Sequence, residues 1–438
     1  MKKLIWTFSI TAILFAQKGI AQNIYFPPLN NTANWDTISP DSLGWCRDKI
    51  DTLYNFLQQE NTKSFIVLKD GKIILEKYFG TFTKDSIWYW ASAGKTITSF
   101  LVGKAQEENF LSINDTSSKY LGTGWTNCTG PQEEKITIKN QLSMTSGLDD
   151  GVPDNHCTID SCLNCLAEAG TRWAYHNAPY TLLENVLENA TAQSINIYTL
   201  QKLKLQTGMT GSWFFVDFDN VFFSVARSMA RYGLLIQNNA IWNNDTLLHD
   251  AAYINQMLNT SQAFNDSYGY LWWLNGKSSY MLPTLQTVFA GSYAPHAPAD
   301  MFAGLGKNGQ ILSISPSNGL VIVRMGNQPN SPLSEVSTIF CDQIWQKLND
   351  VLCNSTGVSE INKLKNKISI YPNPANSEIN ILFSNQENAV VEIFDLFGKK
   401  LISLINQNKI GIQELNKGLY ILKVNMKQIN YTQMFIKE

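Results

Sequence analysis

The chain has 438 residues, with 34 Lys+Arg against 36 Asp+Glu and a formal net charge of -2. Its 44% hydrophobic and 12% aromatic content excludes global disorder, because that much apolar surface can build a large core. The balanced charge, with no basic run, excludes a nucleic-acid partner, which would demand many phosphate-neutralising side chains.

At the N-terminus Lys2 and Lys3 precede an apolar run from Leu4 to Ala16, and Gly19-Ile20-Ala21 supplies small residues before Gln22. This pattern predicts a secretory signal over residues 1–21. The run is shorter than the ~20 apolar residues of a membrane span, and no later stretch predicts a transmembrane segment. Export through the periplasm would expose the seven cysteines (Cys46, Cys128, Cys157, Cys162, Cys165, Cys341 and Cys353) to oxidising conditions. Structural disulfides are then expected ahead of metal binding, and Cys162-Leu163-Asn164-Cys165 lacks the second ligand pair of a zinc site. An odd count leaves one thiol unpaired. Cys46 and Cys341 both fall in helix-like segments, and their pairing would staple the two ends of the main domain.

Along the main segment, Ser39-Pro40-Asp41 predicts the cap of a helix that runs to about Glu60. Asp70-Gly71 then separates Phe65-Ile66-Val67-Leu68 from Ile73-Ile74-Leu75, a hairpin signal. A second strand pair comes late, Gln310 to Ile314 and Leu320 to Arg324 around Pro316-Ser317-Asn318-Gly319, followed by a helix from Ser334 to about Leu352. The expected fold is α+β, an antiparallel sheet closed by both ends of the segment and flanked by helices. A mainly helical insertion, about residues 101–258, lies between.

The chemistry concentrates at Trp90-Ala91-Ser92-Ala93-Gly94-Lys95-Thr96. Ser92 is the only serine with a lysine three residues later, a spacing that puts hydroxyl and ammonium on one face of a helix. A serine hydroxyl needs a base and an electrostatic partner to act as a nucleophile, and a desolvated lysine supplies either. A helix start adds amides that favour an oxyanion. The ordinary alternative is a capping serine before an exposed lysine. No serine lies in G-x-S-x-G, no HExxH occurs, and Tyr89 stands where a phosphate-binding loop ending in Gly94-Lys95-Thr96 would need glycine. Downstream come Tyr175-His176-Asn177 and Lys307-Asn308-Gly309-Gln310 before the late strand pair.

Ser-x-x-Lys, Tyr-x-Asn and Lys-x-Gly before a strand, in that order, are similar to the motifs of penicillin-recognising serine enzymes. Residues of about 60 to 350 resemble the class C β-lactamase-related serine hydrolases, on the branch of 6-aminohexanoate-dimer hydrolases and related esterases. Supporting stretches include Thr137 to Leu148, Ala226 to Leu235 and Tyr268-Gly269-Tyr270-Leu271-Trp272-Trp273. The resemblance implies a β-lactamase/penicillin-binding-protein-like fold over residues 22–354. It implies Ser92 as the acylated nucleophile, Lys95 as its helical partner and Tyr175 as the proton-exchanging phenol. The amides of Ser92 and Gln310, beside Gly309, would form the oxyanion hole. Asn177 would orient Lys95 or a substrate amide, and Lys307 would meet a substrate carboxylate or tune Tyr175. His176 would point away from the reaction. It implies no metal and no cofactor, and a small-molecule or short peptide or amide substrate. Asn308 replaces the Thr or Ser hydroxyl with which lactamases grip a carboxylate, so the resemblance implies ester or amide cleavage ahead of β-lactam turnover.

After a polar linker at 355–367, residues 368–438 hold no Trp, Cys or His and read as short β runs, a small all-β sandwich. Tyr371-Pro372-Asn373-Pro374, Ile379-Asn380-Ile381, Phe394 to Lys399, Gly418-Leu419-Tyr420 and Phe435-Ile436-Lys437 resemble the sorting domain of type IX secretion cargo. That resemblance implies the type IX secretion machinery as a partner and a secreted or cell-surface location.

Overall fold

Asp70 and Gly71 fold as the expected hairpin turn, both at positive φ (48° and 85°), between β1 (Thr62–Lys69) and β2 (Lys72–Tyr78). The computed structural model describes residues 24–30, 33–330, 336–353, 369–382, 389–396, 398–426 and 429–438. The expected signal at 1–21 and linker at 355–367 lie outside the described residues, as does Phe397 of the sorting motif. Ahead of β1, helix α1 covers Ile50–Gln59 only. The single helix expected from Ser39 to Glu60 is broken, because the 3-10 turn Pro40–Leu43 ends at Gly44 in the left-handed region (φ 70°). Glycine terminates the turn there at no steric cost.

The chain continues through β3 (Ile87–Tyr89) and α2 (Lys95–Glu107), then α3 (Asn177–Thr191), β4 (Ser212–Val216), β5 (Asp219–Val225) and α4 (Ala226–Gln237). It closes with β6 (Trp273–Leu274), β7 (Phe302–Gly306), β8 (Gln310–Ser315), β9 (Leu320–Gly326) and α5 (Thr338–Val351). One antiparallel sheet has the order β2-β1-β9-β8-β7-β6, so the first and last hairpins pair directly, from Phe65 opposite Arg324 to Lys69 opposite Leu320. The expected closure of the sheet by both ends is therefore present. The insertion is mostly helical, and it also carries the hairpin β4–β5, which joins β3 in a small sheet of order β3-β5-β4. Alternation along β9 sends Val321 toward α4 and Arg324 toward α5. Gly233 permits the α4 contact, since a Cβ there would lie 2.5 Å from Val321 Cγ1.

Six cysteines form the disulfides Cys46–Cys353, Cys128–Cys165 and Cys157–Cys162. The expected Cys46–Cys341 staple is thus corrected by one helix length. Cys341 faces the core from α5 at 1% exposure and stays a free thiol, whereas Cys353 lies just past the end of that helix. There the Cys46 amide already bonds the Val351 carbonyl (2.7 Å). The two ends of the domain are joined as expected, through a different partner.

The tail folds as two antiparallel sheets of three and four strands over a core that includes Ile379, Ile381, Val391, Ile393, Leu422 and Val424. It is an all-β unit, as the turn-punctuated pattern predicts. Among the described residues no helix is long and apolar enough to cross a membrane.

Candidate active site

Ser92 sits in a 3-10 turn, Ala91–Gly94, that runs directly into α2. Ala91 is held at φ 47°, a left-handed conformation that a non-glycine residue adopts only under constraint. Neither half of the ordinary reading of Ser-x-x-Lys survives. The cap of the turn is Trp90 and that of α2 is Gly94, so Ser92 caps neither. Lys95 is buried at 3% exposure.

Burying an ammonium is costly unless it is paired, and Lys95 is held from two sides. Its Nζ donates to Asn177 Oδ1 (2.9 Å) and lies 3.6 Å from the centre of the Tyr180 ring, a close cation–π contact. Asn177 opens α3 and Tyr180 follows one turn later, so one helix face presents both groups. The Tyr175 ring centre is 5.6 Å from Nζ. Tyr175 is 3% exposed, stacked on Trp273 (6.0 Å) and edge-on to Tyr268 (6.2 Å). Burial, then the Glu184 carboxyl, pushes the Tyr180 phenol well above its usual range, so Tyr180 stays protonated. Burial does the same to Glu184, which accepts a hydrogen bond from Asn220 Nδ2. For Asp219 burial works upward as well, but the close His156 imidazole and the Lys95 charge hold its carboxyl below the ordinary value. Lys95 therefore shares its surroundings with two carboxyls driven in opposite directions, Asp219 toward its ionised form and Glu184 toward its neutral one.

Lys95, Asn177, Tyr180, Asp219 and Asn220 wall a cavity of about 460 Å³ that also takes in Ser92, Tyr89, Asp154, His156, Val216, Phe223 and Lys307, whereas Tyr175 and Glu184 lie behind its lining. The structure thus brings Ser92, Lys95, Asn177 and Lys307 to one cavity. Lys307 is exposed. Asn308, at φ 61°, donates through Nδ2 to Tyr89 OH (2.8 Å). Gly309 (φ 74°) lies against Arg324, where a Cβ would come 2.7 Å from Nη1. Gln310 is fully buried, and its side chain bonds Gly326 in both directions, Nε2 to the carbonyl (2.7 Å) and Oε1 from the amide (3.0 Å). That side chain serves the hairpin. The backbone that runs beside the serine turn is β7: a Cβ on Gly306 would lie 2.5 Å from Trp90 O and 3.1 Å from Ala93 N. Gly304 likewise approaches Ala93. Sequence reading passed over Gly304, although two glycines inside a β run signal a close backbone approach.

Two histidines behave differently from one another. His176 is 1% exposed, with no hydrogen-bond partner at either ring nitrogen. Burial pushes its pKa down to about 4, against a weaker upward pull from Asp150 and Asp149. The neutral ring is favoured in the folded state, so its contribution to stability is complete above the unfolded pKa of about 6.5 and fades as pH falls toward 4. Urea unfolding should show a loss of up to about 3 kcal/mol across that window, and His176→Phe should flatten it. His156 instead lines the cavity, with Nδ1 2.7 Å from Asp219 Oδ2 and Nε2 3.2 Å from Asn177 Nδ2. The Asp219 approach is short but poorly aligned for a hydrogen bond.

Comparison with known proteins agrees with this architecture. Residues 58–339 match the Beta-lactamase family model, and residues 369–438 match the model described as a secretion system C-terminal sorting domain. An uncharacterized protein of Alkalihalophilus pseudofirmus is 24% identical over 306 residues, 61% of this chain and 84% of that protein. Protein flp of Staphylococcus aureus is 30% identical over 155 residues, 31% of each chain. Among solved structures, a putative 6-aminohexanoate-dimer hydrolase from Bacillus anthracis is similar in fold (TM-score 0.55, 17% identity, 74% of this chain and 88% of that one). A family VIII carboxylesterase is also similar (TM-score 0.54, 14% identity, 72% and 98%). With the serine turn, the sheet order and the family match in agreement, the chain belongs to the Beta-lactamase family and ends in a secretion system C-terminal sorting domain.

Proposed function

We propose that this protein is an exported serine hydrolase that cleaves an ester or amide bond through an acyl-enzyme on Ser92. The observation that carries the reading is the buried Lys95, bonded to Asn177 at 2.9 Å in the cavity that Ser92 lines. Ser92 Oγ attacks the carbonyl carbon, and the Lys95–Tyr175 pair takes its proton. Collapse of the tetrahedral intermediate breaks the bond to the leaving group, which departs with that proton. Water then adds to the Ser92 ester, and the acid and the free hydroxyl are regenerated. Oxyanion stabilisation falls to the Ser92 amide and to backbone at the end of the third motif. Gln310 is the donor that the motif implies, while the proximity of Gly306 to Ala91 and Ala93 favours β7 as the second contributor. The lining combines apolar Val216 and Phe223 with polar Asn177 and Lys307, which suits a substrate with an apolar acyl group and a polar leaving side. Asn308 is already committed to Tyr89, which supports weak β-lactam turnover.

The tail supports export by the type IX machinery to the cell surface or medium. One experiment reads both parts. Intact cells carrying the full chain, or a chain ending before Ser369, are given p-nitrophenyl esters, a chromogenic cephalosporin, D-Ala peptides and linear ω-amino-acid amides. Ester or amide turnover outside cells with the full chain, and its loss on truncation, is the expected result. Cephalosporin turnover dominating the panel would contradict the substrate reading.

A further inference from the structure

His156 enters the cavity on the loop just before the Cys157–Cys162 disulfide, and its position follows from donor and acceptor logic. The Lys95 ammonium can only donate, so the Asn177 oxygen must face it. The Asn177 amide nitrogen then points the other way, with one hydrogen for Asn155 Oδ1 (3.0 Å) and one for His156 Nε2 (3.2 Å). His156 Nε2 must accept, which leaves the ring proton on Nδ1, beside Asp219 at 2.7 Å. The Asn155 carbonyl also takes the Ala178 amide (2.9 Å), so this loop is clasped to the start of α3 by backbone as well as side chains.

We propose that His156 is a positioning residue for Lys95: it holds the Asn177 amide in the orientation that bonds the ammonium, and Asp219 fixes the imidazole tautomer. The proposal rests on Ser92 as nucleophile. Deleting His156 leaves one Asn177 amide hydrogen without its partner and the amide held by Lys95 and Asn155 alone, so the bond to the ammonium is less firmly fixed. The charged groups around His156 are Asp219 on β5, Lys95 on α2, His176 before α3, and Asp154 on its own loop. Asp149, Asp150 and Arg172 share the adjoining cavity.

The test compares wild type with His156→Gln and His156→Ala, measuring kcat and KM against pH on the best substrate of the panel. Glutamine can still accept from Asn177 through its carbonyl. His156→Gln should therefore keep kcat within about threefold of wild type. His156→Ala should lose about tenfold in kcat with KM nearly unchanged, the size of one hydrogen bond. A wild-type kcat in His156→Ala, or a loss in His156→Gln as large as that in His156→Ala, overturns the proposal. All three proteins keep His176, so its acid instability is common to them. Nitrogen-15 shifts of the His156 ring, assigned by their absence in His156→Gln, give a reading that needs no activity. Protonated Nδ1 and bare Nε2 are expected, and the opposite tautomer overturns the proposal. Fluorophosphonate labelling separates the two levels. No labelling of wild type sinks Ser92 as nucleophile, whereas equal labelling rates in wild type and His156→Ala sink only the positioning role.

Discussion

Replacing Ser92 with alanine is expected to abolish fluorophosphonate labelling and to lower kcat by on the order of 10³-fold or more. The size of the effect follows from how the serine is held. Ser92 is half-buried at the mouth of the cavity, on a turn whose preceding residue, Ala91, is constrained at φ 47°. Gly304 and Gly306 of β7 pack against the same turn with no room for a side chain. Such a serine is positioned by its backbone, and its hydroxyl is no cap. Alanine therefore removes the reacting atom and little else, and stability should change by less than about 0.5 kcal/mol. The comparison needs a thermal melt beside the labelling gel. A folded Ser92→Ala protein that still takes up the probe would transfer the nucleophile to another residue and end the acyl-enzyme reading.

The proposed nucleophile and its lysine were legible as a pair because the signal was local. Three residues of spacing on a helix fix a relative position, and no tertiary knowledge is needed. The Asp70-Gly71 hairpin and the late strand pair were legible for the same reason. His156 was not. It reaches Asn177 only because the loop before Cys157 folds over the start of α3, and it meets Asp219 only because the β4–β5 hairpin returns to the cavity. That hairpin was read as part of a helical insertion, since Phe214, Phe215 and Val216 are exposed and make no alternating pattern. The Cys46 pairing failed for a related reason. Both Cys341 and Cys353 are helix-associated in sequence, and only burial distinguishes the thiol that faces the core from the one beyond the helix end. Gly44 was readable, as glycine after a short run that opens with Ser39-Pro40 marks a stop as well as a start, and the longer apolar period masked it.

Arg324 is the second residue whose replacement should have a large effect, and nothing in an apolar strand run announces it. The side chain is fully buried and its hydrogen bonds run to backbone carbonyls and one hydroxyl. Its guanidinium donates to the carbonyls of Asn308 (2.7 Å), Gly309 (3.0 Å), Glu60 (2.7 Å) and Asn327 (3.0 Å) and to Thr62 Oγ1 (3.1 Å). Burial pushes its pKa down to about 9, which leaves it charged at neutral pH, and the Phe340 ring lies 5.0 Å away on α5. One cation thus ties the end of α1, the edge of β1 and the Lys307–Gly309 turn into a single knot. Methionine at this position fills a similar volume and offers no donor. Four carbonyls, that of Gly309 buried and the others partly buried, would lose their partner together, at a cost of about 3 kcal/mol in stability. The consequence for catalysis is separable from unfolding. Below the melting transition Arg324→Met should still show reduced kcat, because the turn that carries Lys307 into the cavity has lost its anchor. Arg324→Lys should recover only part of the stability, since an ammonium cannot span carbonyls on three separate segments. A methionine variant that melts with wild type would show that the carbonyls are satisfied in another way, and the arginine would then be incidental to the turn.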